Sequence, residues 1–160
     1  MDKTNVMKIL DQKKISYNYF TYDENETNGV EVAKLLNEKV DDVFKTLVTV
    51  SNTNKNFVFV IPVKEELDLK KVAKLVNMKS IDMIKQKELQ PLTGYIHGGC
   101  SPIGMKKLFP TYIDNTCLTK DEICVSAGKC GVQIKIKVND LIKLTNARTS
   151  DLVKTGDNND

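Results

Sequence analysis

Residues 94–104, GYIHGGCSPIG, contain four glycines beside a hydroxyl and a thiol. Glycine allows positive φ angles and lets a ligand approach the backbone closely. Successive amides in such a loop can form a concave nest for an anion, or for the oxyanion of an acyl-transfer reaction. A tight turn that binds nothing fits the same composition equally well. Because the chain has neither the G-x-G-x-x-G nor the P-loop pattern, the loop is not a standard nucleotide-binding motif.

Lys45 is the second feature whose surroundings suggest chemistry. It lies in the apolar segment VFKTLVTV, where Val43 and Leu47 share its face of a strand. A buried ammonium without a partner is very unfavourable, so the side chain must reach solvent, pair with a carboxylate or meet a negatively charged ligand. A lysine on an edge strand that extends to solvent is one interpretation, and an anion-binding lysine is the other.

The remaining polar candidates do not form a catalytic triad. His97 is the only histidine, and an exposed or hydrogen-bonded side chain is the simplest role for it. Ser101, Ser126 and Cys100 could be nucleophiles, but the chain has no G-x-S-x-G motif, and its one histidine cannot be assigned as their base. Ser126 and Gly128 gain interest only if the turn SAGKCG faces the glycine loop.

The cysteines give no sign of a metal site or of disulfides. They contain no C-x-x-C pair, and nothing in the sequence indicates a disulfide-forming compartment. No cofactor motif is present either, and we expect no cofactor. Free thiols are therefore expected at Cys100, Cys117, Cys124 and Cys130.

Composition and charge limit the class of protein. The 160 residues are 41% hydrophobic and 28% charged, as in an ordinary globular domain. The net charge of +3 permits an anionic partner such as RNA but is far from that of a strongly basic nucleic-acid-binding domain, and Arg148 is the only arginine. No apolar run reaches the ~20 residues that span a bilayer, and the N-terminus lacks the features of a signal peptide. We expect a cytoplasmic protein.

Periodicity and capping signals predict an irregular alternation of helices and strands. The segments ISYNYFTY, VFKTLVTV, NFVFVIPV, EICVS and VQIKIKV have strand patterns, and the turns SNTNK and AGKCG predict two hairpins. This order indicates one mixed α/β (α+β) domain around a sheet or an open barrel. We expect it to span residues 1–153, with a disordered tail over 154–160. Helix caps are expected at Thr4, at Thr27 or Asn28, and at Asp68, Ser80 and Asn139.

Taken in order, several segments resemble the YbaK/EbsC family of stand-alone aminoacyl-tRNA deacylases, which are related to the editing domain of bacterial prolyl-tRNA synthetases. The segments are KTL in a strand, LDLKKVAK on the next helix, TGYIHGGCSPIGMKKLFPTYID and VSAGKCGVQI. The resemblance is collinear from about Val6 to Leu152, which makes it more specific than any single motif. It implies a mixed α/β fold with a barrel-like sheet surrounded by helices.

The resemblance also implies which residues are catalytic. Lys45 matches the family's functional lysine. Gly98 and Pro102 match the ends of its G-x-x-x-P motif, here GGCSP, which also contains Gly99 and Ser101. These residues are expected to position the ester and its oxyanion.

Further positions match the family's substrate pocket. They are Tyr22, Thr46 and Ser126, together with Gly128 in the SAG turn. Gln133 stands where some relatives have an acidic residue, and the aromatic residue that often follows ETN is missing here. Both differences concern the lining of the pocket and therefore the preferred amino acid.

By this resemblance the chain is expected to deacylate cysteinyl-tRNA(Pro), with attack by the substrate's own thiol or by a water held at the ribose hydroxyl. The implied partners are the acceptor end of tRNA(Pro) and prolyl-tRNA synthetase, with neither membrane nor DNA. Three alternatives stay open. The substrate could be alanyl-tRNA(Pro) or another small aminoacyl ester, the chain could bind a tRNA end or nucleotide without chemistry, or it could be a thiol redox protein using Cys100 and Cys130.

Overall fold

The strands of the protein form two separate sheets in the computed structural model, which describes residues 1–155. The helices are α1 (Asn5–Gln12), α2 (Gly29–Leu35), α3 (Leu69–Leu75), α4 (Gln86–Thr93) and α5 (Val138–Thr145). The strands are β1 (Tyr17–Thr21), β2 (Phe44–Ser51), β3 (Asn56–Pro62), β4 (Ile81–Met83), β5 (Thr111–Asp114), β6 (Glu122–Lys129), β7 (Val132–Lys137) and β8 (Arg148–Ser150). The mixed α/β fold expected from the sequence is confirmed.

The two sheets differ in size and direction. The larger has the order β4-β2-β3-β5-β8, with an antiparallel half (β4, β2, β3) and parallel pairs at β3–β5 and β5–β8. The smaller is the antiparallel sheet β1-β7-β6. An isolated parallel bridge between Val43 and Cys124 joins them. The barrel-like sheet is not confirmed, because neither sheet closes on itself.

The larger sheet is buried on both faces, which explains the continuous apolar sequence of β3. Phe57, Phe59 and Ile61 alternate on the face that packs against α3, while Val60 joins the core between the two sheets. That second core also contains residues of α1, β6, β7 and α5. The β2–β3 hairpin, which carries Lys45, is therefore held from both sides.

Three of the expected helix caps are confirmed, each with its hydrogen bond. Thr4 Oγ1 accepts from the Met7 amide at 3.2 Å. Asn28 Oδ1 accepts from two amides at the start of α2, at 3.0 and 3.1 Å. Asp68 Oδ1 accepts from the Lys71 amide at 3.0 Å. These side chains satisfy amides that have no partner inside the helix.

Two expected caps are wrong. Ser80 precedes a strand rather than a helix, because its amide donates to Asn52 Oδ1 at 3.1 Å and β4 then pairs with β2. The β-branched Ile81 fits that strand, and the following helix begins only at Gln86. Asn139 lies inside α5, whose N-cap is Lys137.

Most of the expected C-terminal tail, residues 156–160, lies outside the described residues. Lys154, which the same prediction included, donates its amide to the Glu66 carbonyl at 2.9 Å. Among residues 1–155 no helix is both long enough and apolar enough to cross a membrane.

Asp114 ties the C-terminal segment to the larger sheet, and we expect its removal to destabilise the protein. It is fully buried, its Oδ1 accepts from the Leu152 amide at 3.0 Å, and its Oδ2 accepts from the Thr116 hydroxyl at 2.6 Å. Asp114→Ala leaves these two donors, and the Thr116 amide 3.3 Å from Oδ2, without a partner and should lower the free energy of unfolding by about 3 kcal/mol. Urea denaturation measures this change. Asp121→Ala at an exposed position is the control, and an equal effect in the two variants would contradict the assignment.

Candidate active site

A cavity of about 160 Å³ lies where the two sheets meet. Its lining comes from the start of β2, the segment before α2, the glycine loop and the two long strands of the smaller sheet. Six of the ten residues selected from the sequence line it: Tyr22, Lys45, Thr46, Gly98, Ser126 and Gln133. The strand-borne lysine and the glycine loop therefore share one cavity.

Lys45 is half-buried at the cavity and lacks a counter-ion. None of the ion pairs among residues 1–155 includes it. Burial lowers the pKa of its ammonium below the usual 10.5, while Glu66 and Glu65 oppose that shift from a distance. A negatively charged ligand in the cavity would supply the missing partner.

The glycine loop offers unpaired amides beside this lysine. Among residues 1–155, no hydrogen bond uses the amides of Gly98 or Cys100, and both residues line the cavity. The Gly99 amide between them donates to the Ile96 carbonyl at 3.0 Å and is not free. Gly98 and Cys100, rather than Gly98 and Gly99, are thus the candidate donors to an oxyanion.

The backbone requires glycine at both Gly98 and Gly99. Gly98 has φ +89°, and a Cβ there would lie 2.8 Å from Thr27 Cγ2. A Cβ on Gly99 would lie 2.9 Å from the backbone nitrogen of Cys130. The loop therefore packs directly on the β6–β7 turn and on the segment before α2, which fixes it at the cavity.

Hydrogen bonds within the glycine loop fix the conformation of residues 101–103. The buried Tyr95 hydroxyl donates to the Ile103 carbonyl, and the Ile103 amide donates to Ser101 Oγ at 3.2 Å. Ser101 is fully buried and does not line the cavity. Pro102 lines a separate depression beside α1 and α5. These two residues shape the loop and make no part of the cavity wall.

Gly128 also lies away from the cavity. Its φ is +92°, and a Cβ there would lie 3.0 Å from both Tyr95 and Val6. Its amide donates to Ser126 Oγ at 3.2 Å. Ser126 and Gly128 belong to β6 rather than to a turn. This part of β6 approaches the glycine loop through Tyr95, and its Ser126 lines the cavity.

Two buried polar atoms at the cavity have no partner. Among residues 1–155, Thr46 Oγ1 and Gln133 Oε1 are the buried side-chain oxygens or nitrogens without a hydrogen bond. Both residues line the cavity. Burial raises the pKa of the neighbouring Tyr22, and the Gln133 side chain beside its hydroxyl opposes this. Unpaired buried polar atoms are rare and commonly mark a functional site.

Several lining residues were not selected as site residues from the sequence. His97 was given no role because one histidine without a partner carries no signal, yet it lies exposed at the cavity. Glu26 and Thr27 come from a polar loop whose position no pattern could reveal. Apolar walls are supplied by Val32, Val43, Phe44, Leu47, Val63 and Leu89.

The Cys100 thiol at this site is a poor nucleophile. Burial raises the pKa of Cys100, which lines the cavity, to about 12, so its thiolate is scarce at neutral pH. The cysteines are free thiols, and Cys130 Sγ donates to the His97 carbonyl at 3.4 Å. Within residues 1–155 no group of three His, Cys, Asp or Glu side chains could hold a metal ion. The arrangement is suited to binding an anion and a carbonyl oxygen.

Comparison with known proteins gives a family. The family model described as "Aminoacyl-tRNA editing domain" matches residues 24–144. The chain is also 43% identical over 152 residues to a protein of Enterococcus faecalis named as a candidate Cys-tRNA(Pro)/Cys-tRNA(Cys) deacylase, EbsC. That match covers 94% of this chain and 93% of the relative.

Solved structures share the fold. A candidate trans-editing enzyme for prolyl-tRNA synthetase superposes with a TM-score of 0.83 at 22% identity, over 97% of this chain and 100% of that one. A hypothetical protein superposes with a TM-score of 0.86 at 19% identity, over 94% and 100%. At these identities the likeness concerns the fold alone.

The unpaired hydroxyl of Thr46 predicts a stabilising substitution. Thr46→Val keeps the shape and removes a buried hydroxyl without a partner, so it should raise the free energy of unfolding by about 1 kcal/mol. Thr49→Val is the matched control on the same strand. Thr49 Oγ1 donates to the Phe57 carbonyl at 2.8 Å, and its loss should cost about 1 kcal/mol. Urea denaturation compares the two. A loss of stability in Thr46→Val would show that its hydroxyl has a partner in solution.

Proposed function

Because the chain belongs to the aminoacyl-tRNA editing domain family, we propose that it clears cysteine from wrongly charged tRNA(Pro). Its membership makes it an aminoacyl-tRNA deacylase, a hydrolase that cleaves the ester between an amino acid and the 3′-terminal ribose. The preference for cysteine and for tRNA(Pro) is the proposal, and it draws on the name of the relative that is 43% identical.

One observation carries the proposed mechanism: an unpaired ammonium and two unpaired amides line the same cavity. The ester carbonyl would accept from the amides of Gly98 and Cys100, which stabilise the oxyanion of the tetrahedral intermediate. Lys45 would bind the phosphate or ribose end of the terminal adenosine, where the substrate's charge offsets the cost of its burial. Both interactions position a reactive ester and require no protein nucleophile.

Two routes of attack fit this site. In the first, the cysteinyl sulfur attacks its own ester carbonyl, the bond to the ribose oxygen breaks, the thiol proton passes to that oxygen, and a cyclic thiolactone leaves. In the second, a water held by the neighbouring ribose hydroxyl attacks, and free cysteine leaves. Neither route uses a serine or cysteine of the protein, in agreement with the high pKa of Cys100.

A separate hydrolytic site can correct errors that arise because the synthetase discriminates poorly between similar amino acids. A pocket distinguishes side chains that differ by one methylene by only ~1–3 kcal/mol, so a smaller amino acid is charged at an appreciable rate. A separate enzyme can test the product again. The net charge of +3 suits weak contact with the tRNA acceptor end, and prolyl-tRNA synthetase is the proposed partner that supplies tRNA selection.

Removing the Lys45 ammonium tests the mechanism. Lys45→Ala should lower kcat/KM for Cys-tRNA(Pro) about 100-fold, because an interaction of ~3 kcal/mol with the bound substrate is lost. Lys55→Ala removes an exposed lysine of the adjoining hairpin turn and should behave as wild type. Release of the amino acid from 3′-labelled tRNA measures both, with Ala-tRNA(Pro) in parallel.

The outcomes separate the competing functions. Equal rates for Lys45→Ala and wild type would remove the lysine from the mechanism. Faster cleavage of the alanyl ester would change the proposed substrate. Tight binding of tRNA without cleavage would show a binding module.

Methylation of the substrate sulfur separates the two routes of attack. An S-methylcysteinyl ester has no thiol, so it should persist with wild-type enzyme if the sulfur attacks, with kcat lower by at least about 100-fold. The native cysteinyl ester is the control in the same assay. Hydrolysis of the methylated ester at an undiminished kcat would assign the attack to water.

A further inference from the structure

The cavity has one carboxylate in its lining, Glu26, from the segment before α2. Among the residues of 1–155 that line the cavity, it is the only Asp or Glu. Its side chain is partly buried and belongs to no ion pair in this part of the chain. Its Oε2 accepts from the Asn28 amide at 3.2 Å, whereas its Oε1 has no hydrogen-bond partner within the same residues. That oxygen is available to a cationic ligand.

Glu26 and Lys45 give the cavity two opposite charges that do not neutralise each other. Within residues 1–155 the two side chains form no ion pair. The carboxylates that raise the pKa of Lys45 against the effect of its burial are Glu66 and Glu65. A ligand in the cavity therefore meets a carboxylate and an ammonium as separate groups. An aminoacyl ester of a nucleotide has the complementary charges, because its amine is a cation and its phosphate an anion.

The backbone beside Glu26 contacts the loop that would bind the ester. Thr27, the next residue, lies so close to Gly98 that a Cβ on this glycine would be 2.8 Å from Thr27 Cγ2. The Gly98 amide is a proposed donor to the ester carbonyl. In an aminoacyl group the amine nitrogen is only about 2.5 Å from the carbonyl carbon. An ester held at Gly98 therefore has its ammonium near the side of the cavity that carries Glu26.

Three acceptors of the cavity match the three N–H donors of a primary ammonium. Besides Glu26 Oε1 they are Thr46 Oγ1 and Gln133 Oε1, the buried side-chain atoms that lack a partner among residues 1–155. Gln133 is only 7% exposed, so its unpaired oxygen is largely shielded from water. A primary ammonium has three donors and no acceptor. A hydroxyl or a neutral amide in its place would leave at least one of these oxygens unpaired.

We infer that Glu26 is the counter-ion of the substrate's free α-ammonium, and that Thr46 and Gln133 accept hydrogen bonds from its remaining N–H groups. The inference rests on the proposed function, which places the ester carbonyl at the amides of Gly98 and Cys100. It restricts the enzyme to esters of amino acids with an unblocked amine. An N-acylated ester, such as a peptidyl-tRNA, has lost the charge and all but one N–H group, and it should be left intact.

Removing the charge from the enzyme and from the substrate tests this contact. Cys-tRNA(Pro) is compared with 3-mercaptopropionyl-tRNA(Pro), which keeps the thiol and the ester and has hydrogen in place of the amine. Glu26→Gln keeps an acceptor for the Asn28 amide and should lower kcat/KM for the cysteinyl ester about tenfold. The same variant should cleave the mercaptopropionyl ester like wild type. Because each enzyme is measured on both esters, the difference in reactivity between the esters cancels.

Glu24→Gln is the matched control. Glu24 is an exposed carboxylate of the same segment and does not line the cavity. Its replacement changes the net charge of the protein as Glu26→Gln does, and that change acts on every tRNA substrate alike. Glu24→Gln should therefore leave the ratio of kcat/KM for the two esters at its wild-type value.

Two results would overturn the inference and leave the deacylase function standing. If Glu26→Gln lowers kcat/KM equally for both esters, Glu26 supports the conformation of the site and does not bind the ammonium. If Glu26→Gln cleaves the cysteinyl ester like wild type, the carboxylate makes no contact with it. If wild type does not cleave the cysteinyl ester at all, the function and the inference fall together.

Discussion

The proposed site depends on one constraint, the half-buried ammonium of Lys45 that has no carboxylate partner among residues 1–155. A half-buried cation without a carboxylate partner is destabilised relative to water, and its pKa is lowered accordingly. β3 pairs with β2 at this position, where Lys45 lies opposite Ile61, and β4 pairs with the far end of β2 at residues 49–51. An anionic ligand that binds only the folded state repays this cost and stabilises the protein as it binds. In the proposed mechanism this anion is the phosphate or ribose end of the substrate's terminal adenosine.

The position of the cavity between two sheets explains how distant parts of the chain meet. Lys45 and Thr46 come from the larger sheet, whereas Ser126 and Gln133 face each other as paired residues of the smaller one. The bridge between Val43 and Cys124 fixes the two sheets two residues before the lysine. The glycine loop closes the remaining side by packing on the β6–β7 turn. A site held by strands of two sheets keeps its geometry better than one built on loops alone.

Local patterns predicted much of the fold, and the failures share one cause. The caps at Thr4, Asn28 and Asp68 and the β2–β3 hairpin depend on neighbouring residues, so the sequence reveals them. The segment after Ser80 is a strand because Asn52 and β2 lie beside it, which no local pattern shows. The barrel-like sheet is not confirmed, and the sequence could not decide this point because closure depends on pairing between distant strands.

Some residues of the candidate site could be recognised from the local sequence, whereas others depend on contacts between distant parts of the chain. Lys45 stood out because a charge in an apolar strand needs an explanation, and the glycines because their backbone is unusual. The Gly99 amide is not free, because it donates a hydrogen bond to the Ile96 carbonyl. The sequence does not reveal this contact, so it could not show which loop amides remain unpaired. His97 gave no signal, because the cavity beside it is formed by residues far away in the chain.

Two polar atoms of the cavity lining are buried without a hydrogen-bond partner among residues 1–155. Each of Thr46 Oγ1 and Gln133 Oε1 is buried without a partner, at a cost of roughly 1–3 kcal/mol for a group of this kind. A valine and a leucine would fill the same space without that cost. A ligand that donates hydrogen bonds to such atoms removes the cost of leaving them unpaired. A ligand without these donors binds more weakly, because the atoms stay unpaired in the complex. An aminoacyl group carries such a donor in its ammonium. In the proposed mechanism these two atoms would select the aminoacyl group, while the free amides bind its ester carbonyl and Lys45 binds the adenosine end.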